Sequence, residues 1–177
     1  MYAFVILDRD GVINEDSPDY IKSVDEWIPV PGSLEAIARL TKAGIDVYVA
    51  TNQAGVARGK LTLESMHAIH RHMLRTIEDA GGRITDLRFC PHHPDDNCDC
   101  RKPRPGMLLA LAESNNLDLC KGCYVGDSLK DLEAGESAGC TAVLVLTGKG
   151  ESTLAQRPDH EAVYTDLQMF VDYILRD

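Results

Sequence analysis

The chain has 177 residues, 44% hydrophobic and 26% charged, which predicts one soluble domain over residues 1–177 with a sizeable core. Its formal net charge of −10 disfavours nucleic-acid binding, because an acidic surface repels the phosphates of DNA and RNA. No apolar run approaches the length of a membrane span, so we expect no membrane partner.

Apolar runs that alternate with helical patterns predict an α/β fold, in which a mainly parallel sheet carries helices on both faces. Ser33 is the expected N-cap of the first helix, and Gly44 is its expected stop. The elements predicted for the first half are a strand at Ala3–Leu7, a helix at Leu34–Lys42, a strand at Ile45–Ala50, a helix from Thr62 to about Ala80 and a strand at Leu87–Cys90.

A loop is predicted over about 90–105, because this stretch contains four prolines and has no periodicity. No segment of the chain is large enough for a separate cap domain. The elements predicted after the loop are a helix at Gly106–Ser114, a strand at Gly122–Gly126, a helix at Leu129–Ala138, a strand at Thr141–Leu146, an edge strand at Ala162–Tyr164 and a closing helix at Leu167–Leu175.

Polar residues stand where three of the predicted strands end. Asp8, Thr51 and Asp127 each occupy the carboxyl end of a strand. In open α/β sheets, ligands bind outside these ends, at the point where the strand order reverses. We therefore expect these three residues, distant in sequence, to meet in one crevice.

Four short stretches follow one another along the chain: Asp8-Arg9-Asp10-Gly11-Val12, Thr51, Lys102 and Gly126-Asp127. Taken together and in order, they resemble motifs one to four of the haloacid dehalogenase superfamily. The resemblance covers nearly the whole chain. It implies a Rossmann-like fold and a magnesium-dependent phosphatase.

Phosphoryl transfer accounts for these residue types. Asp8 is the predicted nucleophile, which forms an aspartyl-phosphate, and Asp10 is the predicted general acid and base. The Thr51 hydroxyl and the Lys102 ammonium are expected to hold the phosphoryl oxygens. Asp8 and Asp127 are predicted ligands of Mg²⁺, which reduces the repulsion between two anions. The family pattern implies the backbone carbonyl of Asp10 as a further ligand.

The residues that follow Asp127 leave two alternatives open. An acidic residue near Asp131 orients the lysine or completes the metal shell in related enzymes, but a solvated charge on the helix is equally consistent with the sequence. Ser128 is expected either to contact the metal or to cap the helix that begins at Leu129.

The predicted loop also contains a metal-binding pattern. Three thiolates and one imidazole form a complete tetrahedral set for Zn²⁺, so the zinc is expected to be structural. Because the loop continues directly into Arg101 and Lys102, we expect the zinc to direct both cations at the crevice. The predicted ligands are Cys90, His92, Cys98 and Cys100.

The remaining cysteines bear on the cellular compartment. Cys120 and Cys123 have the spacing of a ligand pair but lack a second pair, so we expect both to be unligated. The N-terminal stretch is apolar but has neither a basic leader nor a cleavage site, which predicts a strand and not a signal peptide. A disulfide framework is therefore not expected, and the predicted compartment is the cytoplasm.

The predicted zinc-binding loop at about 90–105, here called the zinc loop, makes the chain similar to one branch of the superfamily, the histidinol-phosphatase-like branch. The two main members of this branch act on a heptose bisphosphate and on histidinol phosphate. Three stretches are more similar to the heptose enzymes and imply removal of the C7 phosphate of D-glycero-D-manno-heptose 1,7-bisphosphate in lipopolysaccharide biosynthesis. These stretches are Leu7–Asn14, Thr51–Gly59 and Cys98–Leu108.

The same resemblance implies a small-molecule sugar phosphate as the partner, and the lack of a cap domain and the modest chain length suggest a monomer. Arg101 is expected to bind the second phosphate, and Asp16 the sugar hydroxyls. Alanine at position 54 departs from the serine of many relatives, although a backbone contact there would survive. The other implied substrate-binding residues are Thr51, Asn52, Gln53, Ala54 and Lys102.

Two other functions stay open. The cationic amine of histidinol phosphate would prefer carboxylates at the entrance, which Asp16 and Asp19 provide. A zinc-stabilised binding protein without turnover is the alternative outside enzymes. The intact set of Asp8, Asp10 and Lys102 argues against it.

Overall fold

A six-stranded sheet, parallel throughout, forms the centre of the computed structural model, which describes residues 2–176. The strand order is β3-β2-β1-β4-β5-β6, so the order reverses between β1 and β4. The predicted Rossmann-like α/β fold is therefore confirmed. The strands are β1 (Phe4–Leu7), β2 (Asp46–Asn52), β3 (Asp86–Cys90), β4 (Gly122–Gly126), β5 (Thr141–Val145) and β6 (Val163–Tyr164).

Helices cover both faces of this sheet. On one face, Ile37, Met66 and Phe170 share a buried apolar cluster, while Leu108 and Ala134 belong to a cluster on the other. The central strands β1 and β4 are buried along their whole length, which explains their uninterrupted apolar sequences. The helices are α1 (Ser33–Lys42), α2 (Leu63–Asp79), α3 (Gly106–Asn115), α4 (Leu129–Ala138), α5 (Gly150–Gln156) and α6 (Leu167–Ile174). Across residues 2–176, no helix has the length and apolar character needed to cross a membrane.

Three details differ from the sequence predictions. The N-cap of α1 is Gly32, with φ 81°, and the Ser33 hydroxyl instead donates to the carbonyl of Ile13 at 2.8 Å. Strand β2 continues through Asn52, so Thr51 lies within the strand, paired in register with Phe89. Helix α5 was not predicted, because its short sequence buries only Gly150 and Thr153 and has no apolar period.

Candidate active site

One cavity of about 680 Å³ lies at the carboxyl ends of the strands, where the strand order reverses. Most of the predicted catalytic and substrate-binding residues line this cavity. Thr51 is the exception: it is buried beside the cavity, and its hydroxyl accepts a hydrogen bond from Gln53 Nε2 at 3.0 Å. The predicted residues that line the cavity are Asp8, Asp10, Asp16, Asn52, Gln53, Ala54, Arg101, Lys102 and Asp127.

Lys102 joins two carboxylates at the base of this cavity. Its Nζ lies 2.8 Å from Asp8 Oδ1 and 2.7 Å from Asp131 Oδ1, and its side chain is 2% exposed. Burial lowers the pKa of Lys102, but attraction to Asp131 and Asp8 outweighs burial and leaves the pKa raised. The ammonium is therefore charged and stands against the predicted nucleophile.

The sequence left open whether Asp131 contacts the lysine or is a solvated charge on its helix. In the structure, Asp131 is buried and paired with Lys102. Its Oδ1 also lies 3.0 Å from the Tyr124 hydroxyl. Its Oδ2 accepts from the backbone N–H of Ser128 at 3.0 Å and from the Ser128 hydroxyl at 2.6 Å, as Ser128 caps α4. Burial raises the pKa of Asp131, but Lys102 and Ser128 outweigh it, so the pKa is lowered and Asp131 is ionised.

Three buried carboxylates form a donor set that fits Mg²⁺. Oxygen atoms of Asp8, Asp127 and Asp131 lie within 4.8 Å of one another. Burial and the charge of Asp131 raise the pKa of Asp127 to about 7, and the same two causes raise the pKa of Asp8. Lys102 alone does not balance three carboxylates, and a hard divalent cation with oxygen ligands would neutralise the excess charge.

The turn after β1 requires a glycine at position 11. Gly11 has φ +84°, and a Cβ built there would overlap the Asp127 carboxylate. Its carbonyl accepts from the Thr147 hydroxyl at 2.6 Å, while the backbone N–H of Lys149 donates to Asp127 Oδ2 at 2.7 Å. The segment before α5 therefore holds both the turn that follows the predicted nucleophile and the carboxylate of Asp127.

Asp10 accepts hydrogen bonds from three side chains, of which the sequence predicted only Gln53 as a site residue. Arg9 donates to Asp10 Oδ1 from Nε at 3.0 Å and from Nη2 at 2.8 Å. Asn14 Nδ2 and Gln53 Nε2 add hydrogen bonds of 2.9 and 2.8 Å. Burial raises the pKa of Asp10, but Arg9 and these hydrogen bonds outweigh burial and lower it. Asp10 is therefore ionised before substrate arrives.

Two predicted substrate-binding residues contact protein groups in this structure. Asn52 brackets the backbone of Lys102, accepting from its N–H at 3.1 Å and donating to its carbonyl at 3.2 Å. Gln53 donates to both Asp10 and Thr51. Arg101 differs, because it lines the cavity and its buried Nη1 has no hydrogen-bond partner among residues 2–176. An anion in the cavity would satisfy it.

The acids at the entrance are already paired with lysines. Asp16 Oδ2 lies 2.8 Å from Lys149 Nζ. Asp19 lies 3.2 Å from both Lys60 Nζ and Lys22 Nζ. These pairs reduce the negative potential that the entrance would otherwise present to a substrate.

The loop after β3 gathers the four predicted zinc ligands. His92 Nδ1 lies 3.2 Å from Cys100 Sγ and 3.5 Å from Cys90 Sγ. Cys98 Sγ lies 3.6 Å from Cys90 Sγ and 3.5 Å from Cys100 Sγ. A tetrahedral zinc with bonds of about 2.0–2.3 Å separates its ligand atoms by roughly 3.5–3.8 Å, so the donor set fits this metal.

Comparison with known proteins agrees with this geometry. The HAD-hydrolase-like family matches residues 99–169. A D-glycero-beta-D-manno-heptose-1,7-bisphosphate 7-phosphatase of Pseudomonas aeruginosa is 49% identical, over 98% of both chains. The enzyme of that name from Neisseria meningitidis is 48% identical, over 98% of this chain and 95% of its own. This chain belongs to the D-glycero-β-D-manno-heptose-1,7-bisphosphate 7-phosphatase family. The predicted haloacid dehalogenase resemblance is thereby confirmed, and so is the class of enzyme, a phosphoric monoester hydrolase.

A solved structure supports the same assignment at the level of the fold. The D,D-heptose 1,7-bisphosphate phosphatase of B. bronchiseptica, crystallised with magnesium and phosphate, superposes with a TM-score of 0.94. It is 49% identical, over 97% of each chain. Magnesium in that relative agrees with the carboxylate donor set found here.

Proposed function

We propose that this enzyme removes the C7 phosphate of D-glycero-D-manno-heptose 1,7-bisphosphate and leaves the heptose 1-phosphate. The main support for this proposal is the pair of adjacent cations at the cavity, Arg101 and Lys102. Lys102 faces the nucleophile, whereas Arg101 presents a buried Nη1 that has no partner among residues 2–176. Two separate cations suit a substrate with two phosphates, and the names of the relatives support this substrate.

The histidinol-phosphate alternative has less support. It depends on carboxylates that can receive an amine, and Asp16 and Asp19 are the acids available at the entrance. Lysines already neutralise both carboxylates. Arg101, which lines the cavity, instead has an unpartnered cationic donor, and this favours a second anionic group on the substrate.

Asp8 acts as the nucleophile of the first step. Its Oδ1 accepts from the backbone N–H of Arg9 at 2.7 Å and from Lys102 at 2.8 Å, which fixes the carboxylate plane. Bound Mg²⁺, held by Asp8 and Asp127, would neutralise the repulsion between carboxylate and phosphate. The Asp8–phosphorus bond forms as the bond from phosphorus to the sugar oxygen breaks. Lys102 holds the phosphoryl oxygens together with the Thr51 hydroxyl proton, which the hydrogen bond from Gln53 leaves free to donate.

Asp10 supplies the proton for this step and removes one in the next. The negative charge of the arriving phosphate raises the pKa of the Asp10 carboxylate, so it takes up a proton and passes it to the departing sugar oxygen. The carboxylate that remains then takes a proton from water. The water oxygen attacks phosphorus, the Asp8–phosphorus bond breaks, and inorganic phosphate leaves.

Cys90, His92, Cys98 and Cys100 would hold Zn²⁺, which would fix the loop that carries Arg101 and Lys102. The spacing of the four ligand atoms supports this part of the proposal. No position of a four-ligand site is open to substrate, so this zinc is structural.

The assembly and compartment complete the proposal. We propose a single-domain monomer of the cytoplasm that serves lipopolysaccharide biosynthesis. The one continuous sheet supports the single domain, and a site whose groups all come from one chain needs no partner subunit. Sedimentation of the purified enzyme would test the monomer.

Phosphate release from heptose 1,7-bisphosphate and from histidinol phosphate, measured side by side with Mg²⁺, tests the substrate. We expect a large preference in kcat/KM for the heptose. We also expect Asp8→Asn to abolish turnover while the protein stays folded, whereas Asp19→Asn, at the surface, keeps most of it. A preference for histidinol phosphate would reject the substrate, and turnover by Asp8→Asn would reject the aspartyl-phosphate.

A further inference from the structure

A fully buried arginine follows the nucleophile directly. The guanidinium of Arg9 is 0% exposed and bonds Asp10 through Nε and Nη2. Its remaining terminal nitrogen, Nη1, lies 3.1 Å from His70 Nε2. The guanidinium is thus held by two partners, Asp10 at Nε and Nη2 and His70 at Nη1.

The geometry determines the state of His70. Arginine can only donate hydrogen bonds, so His70 Nε2 is the acceptor and the ring proton lies on Nδ1. Burial and the neighbouring Arg9 cation lower the pKa of His70 to about 3, which keeps the ring neutral. The imidazole belongs to the buried face of α2, next to Ile69, and packs against Phe89 with ring centroids 5.6 Å apart.

We propose that His70 is a positioning residue for the general acid and base, acting on Asp10 through Arg9. This inference rests on the proposed function, in which Asp10 moves a proton in both steps. Without His70, a buried N–H of Arg9 would lose its acceptor, and the guanidinium would turn towards another one. Asp10 shares three hydrogen-bond contacts with that guanidinium and would be displaced with it.

The proposed role affects the chemical steps and not the binding of substrate. Lys102, Arg101 and Asp127 lie outside α2, and the His70 ring forms its hydrogen bond with Arg9 and not with any of these three residues. Asn14 and Gln53 would still bond Asp10, so the carboxylate would be displaced but not released. A displaced acid lowers kcat and leaves KM nearly unchanged.

The test compares three variants of α2. His70→Leu removes the acceptor and should lower kcat about 10–100-fold, part of the full contribution of general acid–base catalysis, with KM within about twofold. His70→Gln restores an acceptor through its amide oxygen and should recover most of kcat. His67→Leu is the matched control, because His67 also packs against Phe89 but is exposed and has no contact with Arg9, and it should behave as wild type.

Several results would overturn the inference. They are an unchanged kcat in His70→Leu, a parallel change in kcat and KM, or a kcat of His70→Gln as low as that of His70→Leu. A nitrogen-15 NMR spectrum of wild-type His70 provides a test that needs no turnover. We expect Nε2 without a proton, and a proton on Nε2 would overturn the inference. Absence of wild-type turnover with the heptose bisphosphate would reject the proposed function, whereas the tautomer and the variants bear on His70 itself.

Discussion

Replacing Asp131 by asparagine tests the buried charge cluster beneath the nucleophile. Asparagine keeps one carbonyl oxygen for Lys102 and Tyr124 but removes the negative charge. It also places an NH₂ group where Oδ2 now accepts two hydrogen bonds from Ser128. The change therefore weakens an ion pair and a helix cap together, with almost no change in side-chain volume.

The structure gives the expected magnitude. Breaking a buried ion pair costs about 3–5 kcal/mol, and Asp8 still faces the Lys102 ammonium, so we expect the lower end of this range. Loss of the cap adds about 1 kcal/mol. A total of about 4 kcal/mol lowers the Tm of a chain of this length by about 10 °C. A shift of Lys102 should also lower kcat about 100-fold.

Urea unfolding and steady-state phosphate release measure these effects. Glu136→Gln is the matched control on the same helix, because its ion pair with Arg157 at 2.9 Å is partly exposed and screened by solvent, so its loss should change stability little. An Asp131→Asn protein that unfolds within 1 kcal/mol of wild type and retains its kcat would refute the argument that Asp131 holds Lys102 in place.

Two further predictions concern the zinc loop and His70. Cys98→Ala should lose zinc, which elemental analysis would measure, and should lower kcat about 10–100-fold because Lys102 is displaced. The control is Cys120→Ala, which lies outside the cluster and should change neither the zinc content nor kcat. Full activity in a zinc-free, folded protein would contradict the prediction that zinc holds Lys102 in position. The pKa of His70 is lowered from 6.5 to about 3, so its neutral form contributes stability above pH 6.5 that is lost on acidification, as the unfolded imidazole gains a proton. Between pH 7.5 and 5.5, wild type should therefore lose about 1.4 kcal/mol more unfolding free energy than His70→Leu, and equal losses in urea titrations would disprove it.

The sequence does not predict the roles of Arg9 and His70. Arg9 stands between two motif aspartates, and nothing in the local pattern distinguishes a buried arginine from one that points to solvent. His70 carried a weak signal, a polar residue on the apolar face of α2. Its partner is 61 positions away along the chain, and only packing brings the two together.

Asp131 and Asn52 illustrate the same limit within the site. Helical spacing leaves the orientation of Asp131 undecided, because the sequence does not show which face of α4 covers β4 and the Lys102 ammonium. Asn52 lines the cavity and remains a predicted substrate-binding residue, but the sequence did not show that its side chain also brackets the backbone of Lys102, which arrives from a different loop.

The sequence by itself determined the parallel α/β fold, the order of the four motifs and the Cys/His cluster proposed to bind zinc. Each of these is a local pattern, since apolar runs, strand ends and ligand spacing are encoded within a few residues. Only the tertiary structure decided which side chains hold the catalytic groups. Lys102, Asp131, Arg9 and His70 meet their partners across different elements, and burial, which no local pattern specifies, sets their charge and strengthens their contacts.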